Sequence, residues 1–205
     1  MRKFLLVGQS GVGKSSFINA VFGNYVAKTS KYEPCTQTTQ LYEYKTLSGN
    51  IMLIDTPGLA EDSNILDRQY LQEISENISK HSIDVLLYIS TLTDNRFRPQ
   101  EKRTLYLLID VLGTQLWERS WLALTFASKV PLQKLNTTIH IRRSQIESYL
   151  REIHSQRNIR FIGFKECLVI DNVTSNWLPR EYQKLKIWHK INSWKAMNIV
   201  KLPIS

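Results

Sequence analysis

Eight consecutive residues near the start of the chain have the types and spacing of a phosphate-binding loop. Residues 8–15 read Gly-Gln-Ser-Gly-Val-Gly-Lys-Ser and fit the pattern G-x-x-x-x-G-K-[ST] without a mismatch. The glycines let successive backbone N–H groups converge on phosphate oxygens at a helix N-terminus. Lys14 is predicted to contact the β- and γ-phosphates, and the Ser15 hydroxyl to bind Mg²⁺. The chain is therefore predicted to bind a nucleotide through Gly8, Ser10, Gly11, Val12, Gly13, Lys14, Ser15 and Ser16.

A second motif follows about forty residues later, directly after an apolar run. Residues 51–54 are Ile-Met-Leu-Ile, and the next four are Asp55, Thr56, Pro57 and Gly58. A carboxylate at the tip of a strand beside the phosphate loop can hold Mg²⁺ through water. The amide of Gly58 is expected to sense the γ-phosphate, although an ordinary Pro-Gly turn is the alternative. Together the two motifs favour a switch GTPase over a kinase or a motor ATPase.

The polar segment between these motifs supplies a third candidate metal ligand. Switch GTPases use a Thr there, which contacts Mg²⁺ and the γ-phosphate and loses these contacts after hydrolysis. Thr36 is predicted for this role because it follows Pro-Cys, and Thr38 and Thr39 are the alternatives. The predicted metal ligands are therefore Ser15, Thr36 and Asp55.

Alternating strands and helices must position these residues. The predicted strands are residues 3–8, 41–47, 50–55, 84–91, 121–127 and 167–171, and the predicted helices are 14–22, 66–79, 99–112, 138–154 and 180–196. Residues 85–89 and 121–126 are continuous apolar runs, as expected of strands buried on both faces of a parallel sheet. The pattern predicts an α/β, three-layer P-loop fold with a mostly parallel, doubly wound sheet of about six strands flanked by helices. The length of 205 residues is consistent with a single domain over 1–205.

Base recognition departs from the usual GTPase pattern. Most GTPases carry [NT]-K-x-D at the end of the fifth strand, whereas residues 125–128 are Thr-Phe-Ala-Ser and include neither Lys nor Asp. The chain resembles a septin-related branch of the GTPases. The residues that carry this resemblance are 84–88, Trp117 and 122–131. That branch includes the chloroplast outer-membrane import receptors and the immunity-associated GTPases.

The resemblance implies a way of binding GTP/GDP together with Mg²⁺. Asp171 and Asn172 are implied as the guanine-reading pair, with Thr125 nearby and Phe126 packing on the base. Phe126 stands where the resembled group has His, which weakens the expected guanine selectivity. A turn or a helix cap is the alternative for Asp171 and Asn172.

The resemblance also implies a catalytic arginine. Leu59 and Ala60 follow Gly58 in place of the Gln that orients water in many switch GTPases, so slow intrinsic hydrolysis is expected. In the resembled group an Arg after the fourth strand reaches across a nucleotide-face dimer. Arg96 aligns with it, and Arg98 is the local competitor. A GTPase activated by homodimerisation, with Lys14 and Arg96 as catalytic residues, is therefore implied; the alternatives are a nucleotide-gated scaffold that scarcely hydrolyses GTP and a P-loop ATPase.

The net charge of +9 comes entirely from the last part of the chain. Residues 1–128 hold 13 Lys/Arg and 13 Asp/Glu, whereas residues 129–205 hold 14 Lys/Arg and 5 Asp/Glu. This basic region suits a membrane surface or an acidic partner, but it is equally compatible with a solvated helix face, and no nucleic-acid-binding module accompanies it. No signal peptide or transmembrane run is predicted, so a cytoplasmic location or the cytosolic face of a membrane is expected. Cys35 and Cys167 are expected to be reduced.

Overall fold

The central element is a six-stranded sheet. The computed structural model describes residues 1–22, 25–29, 36, 38–46, 49–59, 64–94 and 96–170. The strands are β1 (Arg2–Val7), β2 (Gln40–Thr46), β3 (Gly49–Asp55), β4 (Val85–Thr91), β5 (Ser120–Thr125) and β6 (Glu166–Val169). Their order across the sheet is β2-β3-β1-β4-β5-β6. Only the β2–β3 pair among them is antiparallel, so the predicted mostly parallel sheet is confirmed.

Helices cover both faces of this sheet. They are α1 (Lys14–Phe22), α2 (Asn64–Lys80), α3 (Pro99–Leu112), α4 (Thr114–Trp117) and α5 (Leu132–Gln156). Because successive side chains of a strand point to opposite faces, Leu5 and Leu6 belong to two separate apolar clusters. The larger cluster takes residues from α2, α3 and α5, and the smaller one takes residues from α1. This arrangement confirms the predicted three-layer α/β architecture.

Two predicted boundaries need correction. The strand predicted over 121–127 ends at Thr125, because Phe126 adopts a left-handed backbone conformation (φ 58°) and a 3₁₀ turn, Ala127–Lys129, follows it. The helix predicted over 138–154 begins at Leu132, directly after Pro131, and its first turns are mostly polar and exposed. The short helix α4 was not predicted, and the predicted helix over 180–196 lies outside the described residues.

The parallel strands bring the motifs to one edge. β3 runs beside β1 in register, with Leu6 opposite Asp55, and β4 runs along the other side of β1. The carboxyl ends of these strands therefore meet where the loop between β1 and α1 begins. In parallel α/β sheets, ligands bind at this edge.

Candidate functional site

The loop between β1 and α1, residues 8–15, curls over the end of β1. Gly11 and Gly13 adopt φ values of 74° and 91°, which L-residues with a side chain rarely adopt. Helix α1 begins at Lys14, and the N–H of Phe17 donates to the carbonyl of Gly13 at 2.9 Å. The loop therefore ends at the N-terminus of a helix, where the partial positive charge of the helix favours an anion.

The side chain of Lys14 folds back onto the start of this loop. Its side chain is 6% exposed, and Nζ donates to the carbonyl of Gln9 at 2.9 Å and to that of Gly8 at 3.4 Å. These carbonyls hold the ammonium at the mouth of the loop. A phosphate in the loop would meet this charge directly.

The segment after β3 is joined to the loop through the main chain. Ser10 N donates to the carbonyl of Leu59 at 3.1 Å, and Leu59 N donates to the carbonyl of Gly8 at 3.3 Å. Gly58 lies so close that a Cβ added to it would come within 2.4 Å of Ser10 Cα. The hydroxyl of Thr56 donates to the carbonyl of Leu6 at 2.7 Å and ties the same segment to β1. The two sequence motifs therefore form one contiguous surface.

Three oxygen atoms from distant parts of the sequence meet beside this surface. Ser15 Oγ donates to Asp55 Oδ2 at 2.8 Å, and Thr36 Oγ1 donates to the same oxygen at 3.2 Å. The two hydroxyl oxygens are 3.1 Å apart. In octahedral coordination at about 2.1 Å, adjacent oxygen ligands of Mg²⁺ are about 3 Å apart. This all-oxygen set therefore fits Mg²⁺.

Asp55 carries a buried carboxylate oxygen that a cation would satisfy. It is 1% exposed, and its Oδ1 atom is buried without a hydrogen-bond partner in the described part of the chain. Burial raises the pKa of this carboxyl, while the charge of Lys14 and the hydroxyls of Ser15 and Thr36 lower it. A buried carboxylate oxygen without a donor is costly unless a cation or a proton satisfies it.

The alternatives to Thr36 lie elsewhere. The Thr38 hydroxyl accepts a hydrogen bond from Gln40 Nε2 at 3.1 Å, and the backbone N–H of Thr39 donates to Glu73 of α2. Of the three candidate threonines, only Thr36 has a hydroxyl within hydrogen-bond distance of both Ser15 and Asp55. The sequence alone had left this choice open.

The predicted base side is described only in part. The single proton of the buried Thr125 hydroxyl is shared between the carbonyl of Val12 at 2.7 Å and that of Ser90 at 3.1 Å, so this side chain braces the phosphate loop. The Phe126 ring is half-buried, with Lys129 Nζ at 4.7 Å from its centroid. Asp171 and Asn172 lie outside the described residues. Their guanine-reading role stays a prediction.

Arg96 is exposed on the segment between β4 and α3. Its backbone N–H donates to Asp94 Oδ1 at 3.1 Å, and its carbonyl accepts a hydrogen bond from Arg142 Nη1 at 3.3 Å. Its competitor Arg98 forms an ion pair with Asp94 through Nε. Because this pair occupies Arg98, the structure distinguishes the two arginines by their surroundings.

The sequence interpretation missed a buried polar cluster behind Arg96. Arg142 forms an ion pair with Glu101 of α3, and Ser90 of β4 donates from Oγ to Glu101 Oε1 at 2.9 Å. A signal was present in the periodicity: Glu101 lies in line with Leu105 and Leu108, and Arg142 interrupts the buried stripe of α5. A charge inside an apolar stripe at helical spacing is exceptional and needs a buried partner.

The comparisons with known proteins agree with this geometry. The model of the AIG1 family matches residues 2–198. The chain belongs to the AIG1 family. Translocase of chloroplast 33 of Arabidopsis thaliana is 30% identical over 167 residues, which are 80% of this chain and 55% of that protein. GTP-binding protein A of Dictyostelium discoideum is 33% identical over 127 residues, 62% of this chain and 28% of that protein.

Solved structures give the fold of this AIG1-family chain. The Arabidopsis Toc33 structure in complex with GDP and Mg²⁺ has a TM-score of 0.69 at 26% identity and covers 84% of this chain and 71% of that one. A dimerization-deficient mutant of Toc33 gives a TM-score of 0.70 at 25% identity, covering 84% and 71%. The chain therefore has the P-loop GTPase fold, and the predicted resemblance to the chloroplast import receptors is confirmed.

This AIG1-family chain spans only part of its relatives. It covers 55% of the length of the chloroplast translocase and 28% of that of the Dictyostelium protein. Within the described residues, every helix is too short or too polar to span a bilayer.

Proposed function

We propose that this chain binds GTP with Mg²⁺ and hydrolyses it to GDP and phosphate, at a rate that rises when two copies meet across their nucleotide faces. The observation that supports this most strongly is the meeting of Ser15, Thr36 and Asp55 oxygens beside a phosphate loop. Membership of the AIG1 family and the nucleotide and Mg²⁺ bound by its relative Toc33 support the same ligands.

Each residue at the phosphate end has a defined task in this proposal. Lys14 exchanges the carbonyls of Gly8 and Gln9 for phosphate oxygens, while Ser15, Thr36 and Asp55 hold the metal. The bound Mg²⁺ supplies positive charge against the phosphate oxygens. Because Gly58 packs on Ser10, its N–H lies beside the loop and is proposed to sense the γ-phosphate.

The base and the catalytic arginine complete the proposal. Thr125 braces the loop, Phe126 packs on the base, and Asp171 with Asn172 selects guanine. Arg96 is exposed and acts on the phosphates of a second copy, since its guanidinium is always charged and can bind two oxygens at once. Dimerisation matters for the GTPase activity of the chloroplast translocon components, which share this fold, and this supports the trans arrangement.

The partners and the extent of the domain stay as predicted. We propose a single nucleotide-binding domain over 1–205, since all described strands form one sheet. A cytosolic location and a membrane surface or acidic partner for the basic residues 129–205 also remain predictions.

A nucleotide-gated scaffold is the second candidate, and one observation favours it. Leu59, which follows Gly58, is buried and apolar, so this position offers no side chain that could orient water. Such a scaffold would bind GTP and dimerise with negligible turnover.

GTP turnover per subunit over a wide range of protein concentration separates the two candidates. The series uses wild type, Arg96→Ala and Arg98→Ala, with ATP as the control nucleotide. A specific rate that rises with concentration in wild type and Arg98→Ala, and stays low in Arg96→Ala, supports the proposal; an arginine supplied in trans contributes about 10³–10⁵ in rate.

Other outcomes contradict particular parts. A flat, near-zero rate despite tight GTP binding supports the scaffold. Preference for ATP contradicts the guanine-reading role of Asp171.

A further inference from the structure

A buried ion pair lies between α3 and α5, on the side of the Arg96 segment. Arg142 is 3% exposed and Glu101 is 2% exposed. Arg142 Nη2 donates to the Glu101 carboxylate and, at 2.9 Å, to Ser90 Oγ, while the Tyr88 hydroxyl donates to Glu101 Oε1 at 3.0 Å. A buried ion pair often contributes no more to stability than an apolar pair of similar size. The cluster is therefore poorly explained by stability alone.

The guanidinium of Arg142 also reaches the backbone of Arg96. Arg142 Nη1 donates to the carbonyl of Arg96 at 3.3 Å, and Arg142 Cζ lies 5.8 Å from the centroid of the Phe97 ring. The N–H of Arg96 donates to Asp94 Oδ1. Both backbone polar groups of Arg96 are thus fixed, one by its own segment and one by α5.

The same cluster connects to the phosphate loop through Ser90. Ser90 Oγ contacts both members of the ion pair, and the Ser90 carbonyl accepts a hydrogen bond from Thr125 Oγ1. Thr125 Oγ1 shares its one proton between this carbonyl and that of Val12 in the loop. A chain of contacts therefore runs from the backbone of Arg96 through Arg142, Ser90 and Thr125 to Val12 of the phosphate loop.

We propose that Arg142 is a positioning residue: it holds the backbone of Arg96 so that this side chain can reach the nucleotide of a second copy. The inference rests on the proposed function of Arg96. A long, exposed side chain reaches a target reproducibly only if its backbone is fixed, and a displacement of 1 Å in a catalytic arrangement can cost about a hundredfold in rate.

Arg142→Lys is the informative variant. Lysine keeps a positive charge beside Glu101, but its one nitrogen replaces the three nitrogens by which the planar guanidinium reaches Glu101, Ser90 and the Arg96 carbonyl. Arg142→Met combined with Glu101→Gln is the second variant, because it removes both charges together and leaves no unpaired buried charge. Arg143→Lys is the matched control, since Arg143 is the next residue of α5 and pairs with Glu147 instead.

A mixing experiment tests the role of Arg142 in the subunit that supplies Arg96 to the nucleotide of a second copy. Arg96→Ala protein is loaded with labelled GTP and mixed with an excess of unlabelled wild type, Arg142→Lys or Arg143→Lys, and single-turnover hydrolysis of the label is followed. Wild type and Arg143→Lys should accelerate hydrolysis, and Arg142→Lys should do so at least about tenfold less. In the reverse mixture, excess wild type should accelerate labelled GTP held by Arg142→Lys.

A double-mutant cycle tests whether the effect passes through Arg96. Arg142→Lys should lower the concentration-dependent rate in the wild-type background and leave it unchanged in the Arg96→Ala background. Equal acceleration by Arg142→Lys and wild type, or an equal loss in both backgrounds, would overturn the inference. If Arg96→Ala by itself keeps the full concentration-dependent rate, the proposed role of Arg96 is wrong and this inference falls with it.

Discussion

The phosphate loop is held mainly by main-chain hydrogen bonds to the segment after β3, whereas the backbone of Arg96 is held by two side chains, those of Asp94 nearby and Arg142 of α5. Ser10, Leu59 and Gly8 exchange backbone hydrogen bonds at the loop. Arg96 depends on Arg142, which is 46 residues away in the sequence. Main-chain contacts tolerate changes of side chain, so the loop is robust in a way that the Arg96 segment is not.

This difference separates binding from catalysis. Changes at the loop and its metal ligands should alter nucleotide or Mg²⁺ binding in a single copy. Changes at Arg142 and Glu101 should alter only the acceleration of GTP hydrolysis that one copy gives to a second copy. The following variants test where that division holds.

The largest effect is expected for Asp55→Asn. The amide keeps the size of the side chain but removes the charge beside Ser15 and Thr36, so turnover at saturating GTP should fall by more than about a hundredfold. The measurement is turnover as a function of Mg²⁺ concentration. Asp84→Asn is the control, because Asp84 accepts the N–H of Lys3 at the opposite edge of the sheet. An unchanged Mg²⁺ response in Asp55→Asn would show that the metal lies elsewhere.

Gly58→Ala should have an intermediate effect. The new Cβ would come within 2.4 Å of Ser10 Cα, so the loop and the segment after β3 must separate. We expect a loss of about 1–3 kcal/mol in the free energy of unfolding and weaker GTP binding. Gly113→Ala is the control: its Cβ meets open space, its strain at φ 69° and ψ 160° costs about 1–3 kcal/mol, similar to the cost of Gly58→Ala, and GTP affinity should not change. Equal GTP affinity in the two variants would contradict the close packing of Gly58 on the loop.

The smallest effect is expected for Thr125→Val. The hydroxyl that joins Val12 to Ser90 is lost, at a cost of about 1 kcal/mol in the free energy of unfolding. Because Thr125 connects the two regions, both GTP affinity and the concentration-dependent rate should fall modestly. Denaturant unfolding and turnover assays measure these changes. Thr125→Ser keeps the hydroxyl and should retain both, and a loss in Thr125→Ser as large as that in Thr125→Val would contradict the role of the hydroxyl.

The fold was largely predictable because its signals are local. Continuous apolar runs at β4 and β5 indicated buried parallel strands, and Asp55 was placed at a strand tip by the residues before it. The start of α5 was predicted six residues too late, since its first turns are polar and exposed. Helix α4 has only four residues, too few for a periodic pattern to appear.

The candidate site was predictable to a different extent at each residue. The geometry of residues 8–15 follows from glycines, a strand and a helix within one short segment. Thr36 was one of three candidates, and only the folded chain shows its hydroxyl on Ser15 and Asp55. The bracing of the loop by Thr125 joins residues 113 positions apart, a relation that no local pattern encodes.

By itself, the sequence determined that a phosphate loop begins a helix and that an acidic strand tip accompanies it. These features depend on backbone conformations that neighbouring residues set. The tertiary structure alone decided which threonine completes the oxygen cluster and which buried arginine fixes Arg96. Those contacts join residues far apart in the chain, so they exist only once the sheet has brought β3, β4, α3 and α5 together.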